Sequence, residues 1–318
     1  MRALLLALLL PLTGCTAVEG LALSFVYQPQ DLPSRNVTDD IVYVEGSDDP
    51  KHTLDVFRPL TKEVRQRPWP TVVYVHGGGW VEGDKDLTFG GQDIYGNIGR
   101  YFAGRGIGAA TVNYRLQPGA TWREQVSDVA RAVAEVRRQV QASGGDPNGL
   151  VLMGHSAGGH LIGRVALDRA TQEAAGLPPE AICGAIPVSA AALDLRDRES
   201  FVIADNYPYY RTRFAPPGTP EAETAPLAPE PWQGEASVAP LLSPEAPPFL
   251  VLYAEGDYPA LIRQNEVFAD ALEASGVPHE VVIVPGSSHE RILGALSQDD
   301  YVAGPAMLDF VRGLSCGG

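Results

Sequence analysis

Short apolar, β-branched segments alternate with longer amphipathic segments along most of the 318-residue chain. Helical spacing of apolar residues predicts helices over 125–140, 157–168, 260–274 and 301–314. This alternation predicts an α/β fold, in which helices cover both faces of a mostly parallel sheet of about eight strands. The strand-like segments are residues 41–44, 53–57, 71–75, 109–113, 150–153, 182–188, 249–253 and 281–284.

The first residues have the layout of an export signal. Met1 and Arg2 precede an apolar stretch, and the sequence LTGC that ends at Cys15 resembles the lipobox of bacterial lipoproteins. Residues 1–14 are therefore predicted to be a lipoprotein signal peptide, Cys15 the lipidated residue, and 15–39 an N-terminal tether to a domain of residues 40–318. The alternative is ordinary secretion, with Cys15 merely near the cleavage point.

Charge and lipidation together define the expected location. The formal net charge of −15 argues against nucleic acid and anionic lipid as electrostatic partners. Acyl chains on Cys15 would then hold the exported protein to the bacterial cell envelope. In a Gram-negative host, the resemblance to lipoproteins implies the outer membrane, because Thr16 rather than Asp follows the cysteine.

Two cysteines, Cys183 and Cys316, lie beyond the signal. An exported location would allow them to form a disulfide. Sequence alone does not bring their sulfur atoms together, and Cys183 lies in the apolar run AICGAIPVSA. We therefore favour the interpretation of Cys183 as a small buried hydrophobic residue.

The stretch LVLMGHSAGGH predicts a nucleophile. An apolar strand leads into Gly154-x-Ser156-x-Gly158, and a helix-like segment follows it. A serine on such a tight strand-to-helix turn has an exposed hydroxyl, and small flanking residues let neighbouring backbone approach. The alternative is a chance match to a short pattern.

A neutral serine needs a base and an orienting carboxylate. On this kind of turn the partners follow in the order serine, acid, histidine, at the carboxyl ends of strands. Asp257 and His289 meet both requirements, and Glu255 is the competing acid. Asp257 as a turn former and His289 as a surface residue remain the structural alternative.

The run VYVHGGGW ends a predicted strand with three glycines. Attack on a carbonyl creates an oxyanion, which backbone N–H groups stabilise when no side chain blocks their approach. Gly78 and Gly79 are the predicted donors, joined by the N–H of Ala157, and His76 is interpreted as bracing their loop. The alternative is a glycine turn that only connects two elements.

Residues 194–246 interrupt the alternation with an aromatic cluster and a proline-rich stretch. One interpretation is a solvent-exposed insertion, and the other is a small irregular cap over a pocket. The sequence leaves both open. The candidate pocket walls are Phe201, Tyr207, Tyr209, Tyr210, Phe214 and Trp232.

The motifs HGGGW, VNYRL, GHSAGGHL, AEGD and GSSHE together resemble the α/β-hydrolase superfamily over about residues 40–314. Within it, the chain resembles the carboxylesterase, feruloyl-esterase-like and arylformamidase-like branch. The branch like hormone-sensitive lipase also has His-Gly-Gly-Gly, but it usually carries Asp where this chain has His155.

The resemblance implies a serine hydrolase that cleaves small carboxylic esters, with short-chain or aromatic groups, through an acyl-enzyme. An arylformamidase-like amide hydrolase would use the same residues, and a non-catalytic surface binding protein is the alternative from another class. No cofactor or metal is implied, because the sequence lacks metal-ligand spacing and the Lys-Ser/Thr of a nucleotide-binding loop.

Overall fold

The computed structural model describes residues 27–64 and 68–316. The predicted signal peptide, Cys15 and the first part of the predicted tether lie outside these ranges. Within them, no helix is long and apolar enough to cross a membrane. Residues 27–39 contact the domain, since the Gln30 N–H donates to Asn97 Oδ1 at 2.7 Å and the first strand begins at Val37.

Eight strands form one sheet in the order β1-β2-β6-β3-β7-β8-β9-β10, and β4 and β5 form a separate ladder. β2 is antiparallel to both of its neighbours, β1 and β6, and the six strands from β6 to β10 in this order pair in parallel. Every predicted strand is present. The strands are β1 (Val37–Val42), β2 (Thr53–Phe57), β3 (Trp69–Val75), β4 (Thr88–Phe89), β5 (Gln92–Asp93), β6 (Gly108–Val112), β7 (Gly145–His155), β8 (Ile182–Val188), β9 (Phe249–Gly256) and β10 (His279–Ser288).

The helices include all four that the apolar spacing predicts. The predicted 125–140 helix is longer at both ends, because a capping box of Thr121 and Glu124 starts it and Gly144, at φ 87°, ends it. The helices are α1 (Ile94–Ala103), α2 (Trp122–Ser143), α3 (Ala157–Leu167), α4 (Arg169–Ala174), α5 (Arg198–Ala204), α6 (Tyr207–Phe214), α7 (Pro231–Ala236), α8 (Pro259–Ala274), α9 (Ile292–Ala295) and α10 (Ala303–Gly313).

Two apolar clusters lie on the two faces of the sheet. One contains Val129 and Val133 of α2 with Leu161 of α3. The other contains Phe102 of α1 and Met307 of α10. The α/β fold with both faces covered is confirmed.

Only part of the insertion between β8 and β9 is the solvent-exposed loop that one interpretation of its sequence expects, since most of residues 216–224 are exposed. It contains α5, α6 and α7, and its aromatic side chains belong to the same core as α2 and α3. The short helices hide their period, which is why the sequence shows none. Buried in this way are Phe201, Tyr207, Tyr210, Phe214 and Trp232.

The interpretation of Cys183 as an unpaired core residue is wrong. Cys183, at the start of β8, forms a disulfide with Cys316, and their Cα atoms are 5.4 Å apart. Their separation of 133 positions in sequence conceals this proximity. The bond fastens the segment after α10 to the amino end of a central strand.

Candidate active site

Ser156 lies at the turn between β7 and α3. Its backbone has φ 53° and ψ −118°, an uncommon conformation for a residue with a side chain. The Ser156 N–H donates to Val188 O of the neighbouring strand at 3.0 Å, which fixes the turn to the sheet. A Cβ on Gly158 would lie 2.2 Å from Val75 O, so only glycine permits this approach to β3. The structure therefore has the turn that the serine motif predicts.

Asp257 and His289 are in contact. Asp257 Oδ1 and His289 Nδ1 are 2.9 Å apart, and the carboxylate side chain is fully buried. Burial favours the neutral acid, but His289, the Ser189 hydroxyl and the Tyr258 N–H together hold the pKa of Asp257 below its usual value. An ionised carboxylate thus faces one nitrogen of the imidazole.

Glu255 points elsewhere. Its carboxylate accepts the Gly286 N–H at 2.9 Å and is exposed at the surface. The structure thus places Asp257, and not Glu255, against His289.

His155 connects the serine turn to the loop of His289. Its Nε2–H donates to the His289 carbonyl oxygen at 2.9 Å, and the two imidazole rings lie 4.5 Å apart. Burial and the neighbouring His289 lower the pKa of His155 to about 3, so the ring stays neutral. The only sequence signal for this role is the position of His155 next to Ser156, and the sequence does not indicate its contact with the His289 loop.

The loop of residues 76–80 lies directly beside Ser156. A Cβ on Gly77 would be 3.2 Å from the Ser156 Cβ. Tyr114 donates its hydroxyl hydrogen to the carbonyl oxygens of His76 and Gly77, at 3.1 and 3.2 Å. The imidazole of His76 stacks on Tyr114 with ring centroids 4.4 Å apart. These contacts place His76 where it can brace the loop.

His76 is buried and uncharged. Its Nδ1 lies 2.7 Å from the Gly77 carbonyl oxygen, to which it donates. Burial lowers the pKa of His76 to about 4, although the bond to Gly77 opposes this shift.

Trp80 is anchored beneath the insertion. Its Nε1–H donates to His160 Nδ1 at 3.3 Å, and His160 Nε2–H donates to Ala236 O at 2.8 Å. The Phe214 ring packs edge-on at 4.8 Å from the Trp80 ring. The loop, the helix after Ser156 and the insertion are therefore joined, which the sequence did not reveal.

The parallel sheet brings the predicted residues to one edge. Ser156 follows β7, Asp257 follows β9, His289 follows β10, and Gly78 and Gly79 follow β3. In residues 27–64 and 68–316, no cluster of three or more His, Cys, Asp or Glu side chains is placed to hold a metal ion. The arrangement is suited to nucleophilic chemistry at a carbonyl carbon.

Comparison with known proteins gives relatives that are named esterases. Isoprenylcysteine alpha-carbonyl methylesterase ICME of Arabidopsis thaliana is 30% identical over 266 residues, which are 80% of this chain and 57% of the plant protein. Esterase LipC of Mycobacterium tuberculosis is 29% identical over 245 residues, 76% of this chain and 57% of LipC. The chain thus matches less than two thirds of the length of either relative.

Solved structures share the fold. Esterase B from Lactobacillus rhamnosis superposes with a TM-score of 0.72 at 21% identity, over 93% of this chain and 92% of that protein. The family of proteins with the alpha/beta hydrolase fold matches residues 72–293. Sheet order, the serine turn and this match agree, and the chain belongs to the alpha/beta hydrolase fold family.

Proposed function

We propose that the protein is a serine esterase that hydrolyses carboxylic esters through an acyl-enzyme. The observation that carries this proposal is the hydrogen bond between Asp257 and His289, in a loop that His155 holds against the turn of Ser156. The relatives named methylesterase and esterase support the same chemistry.

Each residue has a defined part in the proposed reaction. The Ser156 hydroxyl oxygen attacks the ester carbonyl carbon while His289 takes its proton, and Asp257 orients the imidazole and stabilises its charged form. The N–H groups of Gly78, Gly79 and Ala157 bind the oxyanion. His289 then gives the proton to the departing alcohol. Water attacks the acyl-enzyme while His289 takes a proton from it, and His289 returns that proton to the Ser156 oxygen as the acid leaves.

The proposed substrates are esters with a small or aromatic group, as expected for the carboxylesterase and arylformamidase-like branch. Aromatic rings support this choice. The Tyr258 ring lies 5.3 Å from the His289 ring, and the Tyr209 hydroxyl lies over Gly79.

We also propose that the protein is exported and lipid-anchored at Cys15. The LTGC sequence supports this proposal, and so does the disulfide of Cys183 and Cys316, since such bonds persist in oxidising compartments. In cells fed a clickable palmitate analogue, the wild-type chain should be labelled and Cys15→Ser should not. Labelling that persists in Cys15→Ser would contradict the anchor.

The test of the function is hydrolysis of p-nitrophenyl esters of increasing acyl length, and of an aryl formamide, by the full chain and by Ser156→Ala. We expect ester turnover that falls by at least about 10⁴-fold in the variant. Faster formamide than ester turnover would favour the amide hydrolase. No turnover by folded wild type would favour a binding protein.

A further inference from the structure

Helix α6 of the insertion contacts the glycine loop through two side chains. Arg213 Nε donates to the Gly79 carbonyl oxygen at 2.9 Å. The Tyr209 hydroxyl oxygen lies 2.4 Å from the position that a Cβ on Gly79 would take. On the far side, Gln117 Nε2 donates to Arg213 O at 3.3 Å, which holds the end of α6 in place. The insertion is therefore part of the surroundings of the predicted oxyanion donors.

Hydrogen bonds hold the peptide groups on both sides of Gly79. Before it, the Gly78 carbonyl oxygen accepts the N–H groups of Val81 at 3.1 Å and Glu82 at 3.0 Å. After it, the Gly79 carbonyl oxygen accepts the Arg213 guanidinium. The Gly79 N–H belongs to the first of these peptide groups, and the second joins Gly79 to Trp80. Gly79 has φ 55°, a left-handed conformation that glycine readily adopts. Arg213 thus helps to hold the backbone that directly follows this predicted donor.

The same arginine fixes Tyr209. Its guanidinium carbon lies 3.4 Å from the centre of the Tyr209 ring, and Nη1 donates to Tyr209 O at 3.0 Å. A stacked guanidinium restrains the ring and keeps the hydroxyl over Gly79. Burial raises the pKa of Tyr209, although Arg213 opposes this shift, so the hydroxyl keeps its proton near neutral pH. A hydrogen-bond donor is thus held beside the glycine loop.

We propose that Tyr209 is a further catalytic residue, whose hydroxyl donates a hydrogen bond to the substrate oxygen that becomes negative when Ser156 attacks. Arg213 is the positioning residue that holds both Tyr209 and Gly79. The inference rests on the proposed esterase function. It assigns the insertion a part in transition-state stabilisation.

The test compares Tyr209→Phe and Arg213→Lys with two variants in the same helix. Thr212→Val removes a hydroxyl that hydrogen-bonds to Pro208 O within the helix, and Arg211→Lys changes an arginine that bonds to Pro220 O. Removal of one oxyanion donor costs about 10²-fold in kcat. We expect a loss of that order for Tyr209→Phe, a loss of about 10-fold for Arg213→Lys, and changes below about 3-fold for the controls.

Inhibition by a short alkyl boronic acid separates a catalytic from a merely structural role. Its tetrahedral adduct with serine resembles the charged intermediate. If Tyr209 binds that charge, the inhibition constant of Tyr209→Phe rises by about the factor by which kcat/KM falls, while KM for p-nitrophenyl acetate changes below about 3-fold.

Two results would overturn the inference while leaving the esterase intact. One is Tyr209→Phe with kcat within about 2-fold of wild type, which is too small for a lost oxyanion donor. The other is a reduced kcat with unchanged boronic acid inhibition. Wild-type turnover that Ser156→Ala abolishes establishes the esterase separately, and wild type without turnover would remove both proposals.

Discussion

The two edges of the sheet are built for different purposes. At the carboxyl edge, short loops carry Ser156, Asp257 and His289 with buried polar contacts. At the amino edge, Trp69 packs against Gly145 at the start of β7. Cys183, at the start of β8, forms the disulfide with Cys316. Changes at the carboxyl edge should therefore reduce activity more than stability, and changes at the amino edge should reduce stability more than activity.

The largest expected effect is at the carboxyl edge. Asp257→Asn keeps the shape of the side chain but removes the charge that orients His289, so kcat should fall by about 10³ to 10⁴-fold. The melting temperature should stay close to that of wild type. Ester kinetics and calorimetry measure the two quantities.

Glu255→Gln is the matched control for Asp257→Asn. Its carboxylate bonds to the Gly286 N–H at the surface, so kcat should change by less than about 3-fold. A larger loss of kcat in Glu255→Gln than in Asp257→Asn would mean that Glu255, and not Asp257, orients His289.

Removal of the disulfide should have the opposite profile. Cys183→Ala with Cys316→Ala frees a loop of 133 residues, so the free energy of unfolding should fall by about 2–4 kcal/mol. Well below the melting temperature, kcat should be unchanged. Denaturant titration and ester kinetics test this, with Ser315→Ala as the control. A loss of kcat as large as that expected for Asp257→Asn would contradict the difference between the two edges.

Acid should destabilise the carboxyl edge through its buried histidines. The pKa values of His155 and His160 fall from 6.5 to about 3 on burial, and that of His76 to about 4. As pH drops below 6.5, the unfolded chain binds protons that the folded chain does not, so stability falls by about 1.4 kcal/mol per pH unit per histidine. Denaturation at a series of pH values between 6.5 and 4 measures this slope.

His160→Gln should reduce that slope by the contribution of one histidine, about 1.4 kcal/mol per pH unit. Val165→Ala, a core change in the same helix, should lower stability at every pH and leave the slope unchanged. Equal slopes in wild type and His160→Gln would show that His160 does not contribute.

The smallest effect concerns the contact between two loops. His155→Leu removes the hydrogen bond to the His289 carbonyl, and kcat should fall by about 3- to 10-fold. His155→Gln can still donate to that oxygen and should recover part of the loss. Equal kcat in wild type and His155→Leu would mean that the His289 loop needs no support from the serine turn.

Local patterns predicted the strands and the serine turn, because each depends on neighbouring residues. The helix α1 was missed, since Gly96 and Gly99 obscure its pattern; Gly99 packs against Phe57, a contact between distant segments. The same limit applies to the disulfide and to Arg213 on Gly79, which join residues more than 130 positions apart. Such pairs depend on tertiary packing, and a single sequence does not display it.

The most direct test of the proposed acyl-enzyme is covalent labelling with a p-nitrophenyl phosphonate. We predict one phosphonate per chain, on the peptide that contains Ser156, with no adduct in Ser156→Ala and slow labelling in His289→Ala. Peptide mass spectrometry measures the position and the rate. An adduct on another residue, or labelling of Ser156→Ala at the wild-type rate, would contradict Ser156 as the nucleophile.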